Sequence, residues 1–459
     1  MVSSIFHIGQ SGLRAGRTGV RVASENVANV NTPGYHRRVT VLQASRLRQV
    51  GNLRLGLGVE VRESQRVVDE ALDRRVRSSI GQAAAQSSRS DVLDRANVIL
   101  GDLEGAGVSS TLDEFFASLD LLAASPEDRV SRSNVLASAE RFAESVNDVG
   151  RNLRAMRQEL DPEVEAGVDE VNRLAAEVAS LNEKISSRSR VSNDLLDRRA
   201  RLVDQLSETV GATVIPGRND VWNIAIEGGY TLVSGSQVQR LSTRPGVDGF
   251  VRIEGIDGAG TPDLTDRIRQ GQLGGLLVAR DEDLGATAQA YDDFVTELVN
   301  EVNARHSAGY GLDGVTGRNL FAPPAAVNPA ENLAVDPAVA ANPDAIAAAR
   351  DPALLPGDNR AALDLAEVRL DPLASGQEPP DALRQVLQEF GDRAFAASAS
   401  AESATLAADQ LTNLQQSVSG VSVDEELATL MQFRQQFSAA ATVIQTADEL
   451  TREIIGLKG

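Results

Sequence analysis

The sequence predicts a mainly α-helical fold with inserted β-structure: a terminal α-helical coiled coil, a long-helix bundle domain and a smaller β-rich domain inserted in it. Three observations support this prediction. Aromatic residues make up only 3% of the 459 residues, which favours helical packing over large β-sandwiches. Apolar residues recur with helical spacing near both ends, and β-like runs are concentrated in the middle. A chain of this length also holds more than one hydrophobic core.

The N-terminal segment has a heptad pattern of apolar and small residues. Its seam consists of Phe6, Gly9, Leu13, Gly16, Val20, Ala23, Val27 and Val30. Glycines at 9, 12, 16 and 19 lie on or beside the seam, and each costs roughly 0.5–1 kcal/mol relative to alanine in a helix interior. We therefore expect this helix to be loose alone and to form when a partner packs closely on it. The breakers Pro33 and Gly34 predict that it ends between Asn29 and Tyr35.

The C-terminal segment has a matching pattern. Its seam consists of Leu430, Phe433, Phe437, Ala440, Ile444, Ala447, Thr451 and Ile454. Residues 1–60 carry eight arginines against two glutamates, whereas residues 420–459 carry six acidic side chains against three basic ones. The opposite charges favour pairing of the two helices. Periodicity alone equally allows each helix to pack locally on a globular domain.

Between the ends, residues 66–205 have the spacing of long helices. Ser125-Pro126-Glu127-Asp128 predicts a helix start, with Ser125 as the cap and Pro126 at the first helical position. After residue 208, β-like runs alternate with glycine-rich turns, and residues 311–356 are rich in Ala, Pro, Gly and Asn. We predict three domains: 1–45 with 420–459 for assembly, 46–206 with 269–310 and 357–419 as the helical body, and 207–268 with 311–356 as the β-rich insertion.

No catalytic, cofactor or metal site is predicted. The histidines at 7, 36 and 306 are far apart, no cysteine is present, and no nucleotide or hydrolase motif occurs. Asp194 and Asp197 are flanked by arginines at 198, 199 and 201, which predicts a salt-bridged helix face. The net charge of −20 disfavours binding to nucleic acid or to an anionic membrane. The first ten residues lack the features of a secretory signal, so export would need another route.

The ends resemble a known group of proteins. The stretch Ala23-Ser24-Glu25-Asn26-Val27-Ala28-Asn29-Val30-Asn31-Thr32-Pro33-Gly34-Tyr35 resembles the N-terminal signature of bacterial flagellar rod, hook and hook-associated proteins, with Glu25 in place of the usual Asn. Ser419-Gly420-Val421-Ser422-Val423-Asp424-Glu425-Glu426, followed by Gln445-Thr446-Ala447, is similar to the C-terminal signature of the same group.

Internal stretches narrow the resemblance to the flagellar hook-associated protein 1 family. The segment 193–199 (Asn-Asp-Leu-Leu-Asp-Arg-Arg) resembles that family's N-D-L-L-D-x-R motif, and 271–277 with Arg280-Asp281 resembles its G-x-L-G-G-L-L-x-x-R-D stretch. The resemblance implies a structural, non-enzymatic subunit of the hook–filament junction outside the cell, exported unfolded by the flagellar type III apparatus and assembled in a ring through its terminal helices.

The resemblance also implies partners. These are further copies of the chain, the hook protein, a second junction protein on the filament side and a cytosolic export chaperone at the C-terminal helix. The expected assembly residues are Phe6, Leu13, Val20, Val27, Val30, Ile444 and Ile454. The expected chaperone anchors are Leu430, Phe433, Phe437 and Ile444.

Other functions stay open. A hook or distal rod subunit would share the terminal signatures, although the long helices and internal motifs favour the junction family. A cell-wall hydrolase would need paired carboxylates in a cleft, whereas the acidic residues here are scattered along helices. A coiled-coil signalling protein is disfavoured because no segment has the roughly 18 apolar residues of a transmembrane helix.

Overall fold

The computed structural model describes residues 2–45, 47–50, 53–187, 192–256 and 260–456. The α-helices are α1 (Val2–Ala28), α2 (Glu70–Ala106), α3 (Val108–Ala124), α4 (Arg129–Glu159), α5 (Asp161–Ser186), α6 (Asn193–Val210), α7 (Gly271–Val278), α8 (Leu284–Ser307), α9 (Pro337–Ala340), α10 (Arg360–Glu367), α11 (Pro379–Ser419) and α12 (Val423–Gly456). The strands are β1 (Arg38–Ala44), β2 (Leu47–Val50), β3 (Leu53–Gly56), β4 (Val59–Arg66), β5 (Thr213–Pro216), β6 (Trp222–Ala225), β7 (Thr231–Ser234), β8 (Gln237–Val238), β9 (Arg240–Pro245) and β10 (Val251–Ile256). The mainly α fold with inserted β-strands is therefore confirmed.

The chain forms two compact units. The first contains Met1–Gly81, Asn172–Gln239 and Thr405–Gly459, and the second contains Gln82–Val171 and Arg240–Ala404. Both terminal helices belong to the first unit, as does the sheet β5–β8, whereas β9 and β10 belong to the second. The division into three domains stays a prediction.

The first unit contains small antiparallel sheets. Strand β1 pairs with β4, from Arg38 opposite Arg66 to Ala44 opposite Val59, and β2 pairs with β3 between them. Strands β5, β6, β7 and β8 form a four-stranded sheet in that order. Strands β1–β4 thus form an antiparallel arm after the first helix, and α1 ends at Ala28, just before the predicted breakers.

The core of the second unit is built on helices α3 and α4. Four fully buried phenylalanine rings meet there, with neighbouring centroids 5.4–6.2 Å apart. They are Phe115, Phe116, Phe142 and Phe321. Because aromatic residues are scarce in this chain, concentrating four of them in one cluster gives this unit an anchor that aliphatic helix packing alone would not provide.

The start of α4 differs from the prediction. The N-cap is Asp128, whose side chain accepts hydrogen bonds from the backbone N–H groups of Val130 and Ser131. Ser125, the expected cap, instead ends α3 and donates its backbone N–H to Leu121 and Leu122. The carboxylate is a strong cap because it faces the positive end of the helix, and the bonds it accepts lower the pKa of Asp128.

Residues 311–356 also differ from the prediction. Instead of β-strands they form 3-10 turns, the one-turn helix α9 and isolated bridges, such as Phe321 with Val335. The physical reason is the density of proline, which lacks the N–H group that a ladder needs. Short turns capped by Asp336, Asn342 and Asp351 hold the backbone instead.

Candidate assembly interface

The two terminal helices pair with each other along a stripe of glycines. Gly9 faces Ile444, Gly12 faces Ala440, Gly16 faces Phe437 and Gly19 faces Phe433. Partner numbers fall as the glycine numbers rise, so the helices run antiparallel. Steps of three and four on both helices are those of a coiled-coil seam.

The glycines are required by how closely α12 approaches. A Cβ atom at Gly16 would lie 3.1 Å from the backbone Cα and N of Phe437, and one at Gly9 would lie 2.6 Å from Cγ1 of Ile444. A Cβ at Gly19 would overlap the ring of Phe433. The glycines that weaken α1 in isolation thus admit the large side chains of α12, as expected from the sequence.

The seam of α1 lies one residue away from its predicted position at every second step. The predicted Leu13, Val20 and Val27 are only half-buried. The residues that face α12 with Gly9 and Gly16 are instead Gly12, which is half-buried, and Gly19, which is buried. Asn26, two turns further along, is buried against Arg38 and Tyr35. The periodicity gave the correct spacing, and at these two steps close backbone packing brings the smaller neighbour, Gly12 or Gly19, toward α12. Contacts of Leu13, Val20 and Val27 with other subunits stay a prediction.

The remaining predicted residues fall into two groups. Phe433 and Ile444 are half-buried against glycines of α1, and Leu430 is also half-buried. Phe6, Val30, Phe437 and Ile454 are exposed to between 37% and 54%. The structure therefore brings Phe433, Phe437 and Ile444 to α1 and leaves Phe6, Val30 and Ile454 open to solvent.

Helix α12 exposes many large apolar side chains. Among its described side chains only Glu426 and Ala447 are buried. Besides Phe437, which faces Gly16, the large apolar side chains with at least 37% exposure are Val423, Leu427, Met431, Val443, Leu450, Ile454 and Ile455. Because so many exposed apolar residues on one helix are unusual for a monomeric protein, they fit a contact surface.

A buried asparagine explains much of the N-terminal signature. The side chain of Asn26, which is fully buried, donates to the carbonyl of Arg38 at 2.8 Å and accepts from the backbone N–H of Arg38 at 3.0 Å. Its oxygen also accepts from the Tyr35 hydroxyl at 2.8 Å. The amide thus mimics a strand neighbour and fixes β1 to α1. Burial raises the pKa of Tyr35 to about 12, although the charge of Arg38 acts in the opposite direction.

The segment 193–199 of α6, which resembles the N-D-L-L-D-x-R motif, contacts the N-terminal hairpin through Asp197. Its carboxylate lies 2.9 Å from Nδ1 of His36, 2.8 Å from Nε of Arg66 and 3.2 Å from a terminal nitrogen of Arg38. Burial alone would raise the pKa of Asp197, but the hydrogen bond with His36 and the charge of Arg66 outweigh it, so the pKa lies below its ordinary value. The motif of α6 therefore anchors the N-terminal hairpin.

This arrangement corrects the predicted salt-bridged face of α6. The partners of Asp194 and Asp197 come from the N-terminal hairpin and not from arginines of the same helix. Arg198 pairs with Glu177, and Arg199 lies over the ring of Trp222 at 4.1 Å. Sequence spacing alone cannot distinguish a local i,i+4 pair from a partner that is more than one hundred residues away.

A basic side chain near the N-terminus forms ion pairs with two acidic side chains at the start of α12. Nε of Arg37 lies 2.7 Å from the buried carboxylate of Glu426, and another guanidinium nitrogen lies 3.0 Å from Glu425. The backbone N–H of Arg37 also donates to the carbonyl of Ser419 at 2.9 Å. The loop after α1 thus holds the start of α12, and the acidic pair of the C-terminal signature supplies the counter-charge.

Comparisons with known proteins match this architecture. The family model described as the flagellar hook-associated protein FlgK helical domain matches residues 93–321. Models for the flagella basal body rod protein and for the flagellar basal body rod FlgEFG protein C-terminal match residues 6–36 and 415–457. Flagellar hook-associated protein 1 of Salmonella typhimurium is 25% identical, with all of both chains covered. The Bacillus subtilis protein is 24% identical over 97% of this chain and 96% of its own.

This chain belongs to the flagellar hook-associated protein 1 family. A solved structure of the flagellar hook junction protein FlgK from Burkholderia pseudomallei has the same fold, with a TM-score of 0.67 at 17% identity, covering 75% of this chain and all of that one. The two terminal matches coincide with the helices that pair here, and the FlgK helical-domain match includes the phenylalanine cluster of α3 and α4.

Sequence reasoning missed several residues of the interface. Asn26 and Arg37 were not singled out, although both lie in or beside the N-terminal signature, and Arg66 has no motif of its own. A polar residue on an otherwise apolar helical seam is the signal that could have identified Asn26.

Within the described residues, no group of three or more histidine or acidic side chains could hold a metal ion, and no helix is long and apolar enough to cross a membrane.

Proposed function

We propose that this chain is a structural subunit of the bacterial flagellum at the hook–filament junction, outside the cell, where copies form a ring and contact hook protein on one side and a second junction protein on the other. The observation that carries the proposal is the antiparallel pairing of α1 with α12 through four glycines, in a chain of the hook-associated protein 1 family. Pairing the ends gives each subunit one two-helix element for stacking.

The unpaired side of that element supplies the contact surface. Phe6 and Ile8 on α1 are exposed to 44% and 41%, and Ile455 on α12 to 67%. At roughly 25 cal/mol per Å² of apolar surface removed from water, a stable assembly benefits from covering these side chains. Neighbouring subunits of the axial structure would cover them, since a ring places identical elements side by side.

Export precedes assembly in this proposal. The chain would leave the cytosol unfolded through the flagellar type III apparatus, with a chaperone bound to α12 at Leu430, Phe433, Phe437 and Ile444. Phe433, Phe437 and Ile444 are the residues that lie against glycines of α1. A chaperone that binds their side chains therefore competes with α1, so release of the chaperone would permit the ends to pair.

Electron microscopy of a deletion strain tests the function. A strain without this chain should produce complete hooks that lack filaments, and plasmid-borne wild-type chain should restore the filaments. Absence of the hooks themselves would instead indicate a hook or rod subunit, and normal filaments would refute the proposal.

Calorimetry tests the chaperone site. Leu430→Asp or Phe437→Asp should weaken chaperone binding about tenfold or more, because each places a charge in an apolar contact. Ser438→Asp, on an exposed position of the same helix, is the matched control. Deleting residues 2–28 should tighten binding, since α1 no longer competes. Unchanged affinity in all variants would remove these residues from the chaperone site.

A further inference from the structure

A pocket of about 180 Å³ lies within the first unit, away from the α1–α12 seam. Its walls come from the start of α2, from α6 and from the sheet β5–β8. Four arginines line it (Arg66, Arg74, Arg77 and Arg199), together with the indole of Trp222 and a few apolar side chains. Pockets that hold drug-sized ligands have roughly 300–1,000 Å³. This pocket therefore fits one side chain better than a cofactor.

The four guanidinium groups are not equally satisfied. Arg66 pairs with Asp197, and Arg77 pairs with Asp204 at 2.7 Å. Arg199 is only 2% exposed, yet no carboxylate lies within ion-pair distance of it in the part of the chain that the structure describes. Its guanidinium donates to the side-chain oxygen of Asn182 and to the carbonyl of Asp220, while Nε has no partner.

A buried cation without a counter-charge is costly. Burial lowers the pKa of Arg199 to about 10, an effect that the nearby Asp220 opposes only in part and that the charges of Arg66 and Arg77 increase. An entering carboxylate would supply the missing negative charge. At the pocket rim, Arg74 is exposed and likewise has no ion-pair partner among the described residues, so it can guide an anion inward.

Three carboxylates also line the pocket. Glu70 and Asp220 are exposed, so solvent screens them, and buried Asp73 accepts a hydrogen bond from the amide of Gln415 at 2.7 Å. Asp197 and Asp204 already balance Arg66 and Arg77, so among the described residues the buried guanidinium left for an entering carboxylate is that of Arg199, and the lining carboxylates oppose a second entering charge. The occupant is therefore a single carboxylate with a short aliphatic stem, as in an aspartate or glutamate side chain.

We propose that this pocket binds a carboxylate side chain of a second copy of the chain and so forms one lateral contact of the ring. The chain carries 65 acidic residues against 45 basic ones. A neighbouring copy therefore presents more carboxylates than its own basic side chains can pair with. The choice of a second copy rests on the proposed ring, whereas the affinity for a carboxylate does not.

Fluorescence of the purified full chain tests the pocket. Trp222 is the only tryptophan and lines the site. Titration with propionate at constant ionic strength should change its emission saturably, whereas propionamide, which has the same shape without charge, should not. Arg74→Gln should weaken propionate binding about fivefold, while Arg75→Gln, the exposed neighbour outside the pocket, should leave it unchanged. A non-saturable response, or equal responses to both compounds, would overturn the carboxylate site.

Photo-crosslinking in assembled flagella tests the occupant. A photoreactive p-benzoylphenylalanine at Val68, which is 37% exposed beside the pocket, should yield a dimer of this chain, and the same group at Arg75 should not. Crosslinks to a different flagellar protein, or none, would exclude a second copy as the source. Since filaments on these cells are scored separately, the proposed junction role is judged independently of this result.

Discussion

Replacing one seam glycine by alanine separates helix propensity from helix pairing. In an isolated helix, Gly19→Ala should stabilise α1 by about 0.5–1 kcal/mol. In the folded chain the added methyl group would overlap the ring of Phe433, and such overpacking costs about 1–3 kcal/mol. The clash outweighs the propensity gain, so we expect the α1–α12 pair to lose about 1 kcal/mol.

The assay is amide hydrogen exchange along α1 and α12 of the full chain, with circular dichroism of a synthetic peptide of residues 2–28 beside it. Gly19→Ala should raise the helicity of the peptide and increase exchange in the chain about fivefold, which corresponds to that loss of about 1 kcal/mol. A peptide that becomes more helical, together with a full chain whose terminal helices exchange faster, is the distinctive result.

The matched control is Gly391→Ala. Gly391 is a helix-interior glycine of α11 where an added Cβ meets no atom within 4 Å. With propensity acting alone, this substitution should slow exchange in α11. If Gly19→Ala also slowed exchange in both terminal helices, the close packing inferred for the glycine stripe would be refuted.

Three further predictions concern the rest of the chain. Asn26→Ala leaves the N–H and C=O groups of Arg38 without these side-chain partners and should cost about 2–3 kcal/mol, seen as faster exchange in β1, whereas Asn29→Ala, whose amide donates to the carbonyl of Glu25 in α1, should not affect β1. Burial lowers the pKa of His306 to about 4, so below pH 6.5 the unfolded state binds the extra proton first, and the second unit should lose about 3 kcal/mol as the pH falls from 6.5 to 4. Urea melts at both pH values check this, and His306→Gln should remove that part of the pH dependence. Finally, both terminal helices should be only partly protected from exchange in the monomer and become much better protected in assembled flagella, and equal protection in both states would contradict further ordering on assembly.

The ends of the chain were the most predictable part. Heptad spacing, the stripe of glycines and the Pro33-Gly34 breaker depend on neighbours within a few residues, so the sequence indicated two terminal helices and the end of α1 near its observed position, while leaving their pairing open. The composition of residues 213–253 likewise indicated short strands. These features follow from local backbone preferences and periodicity.

Other features depend on contacts between distant segments. Asp197 pairs with His36 and Arg66, more than 120 residues earlier, although arginines of its own helix were closer in sequence. Asp128 rather than Ser125 caps α4, because Ser125 already serves as the C-cap of α3. Each choice was between chemically equivalent candidates.

The amino-acid sequence by itself determined that this protein has two glycine- and apolar-patterned terminal helices around a helical body with inserted strands, because periodicity and breakers act over one or two helical turns. Only the tertiary structure decided which side of α1 faces α12 and which charges pair. The reason is that the distance between two packed backbones, and not the hydrophobicity of either segment, selects glycine over leucine at a seam. The packing of distant segments likewise brings a remote arginine, and not one of its own helix, to Asp197.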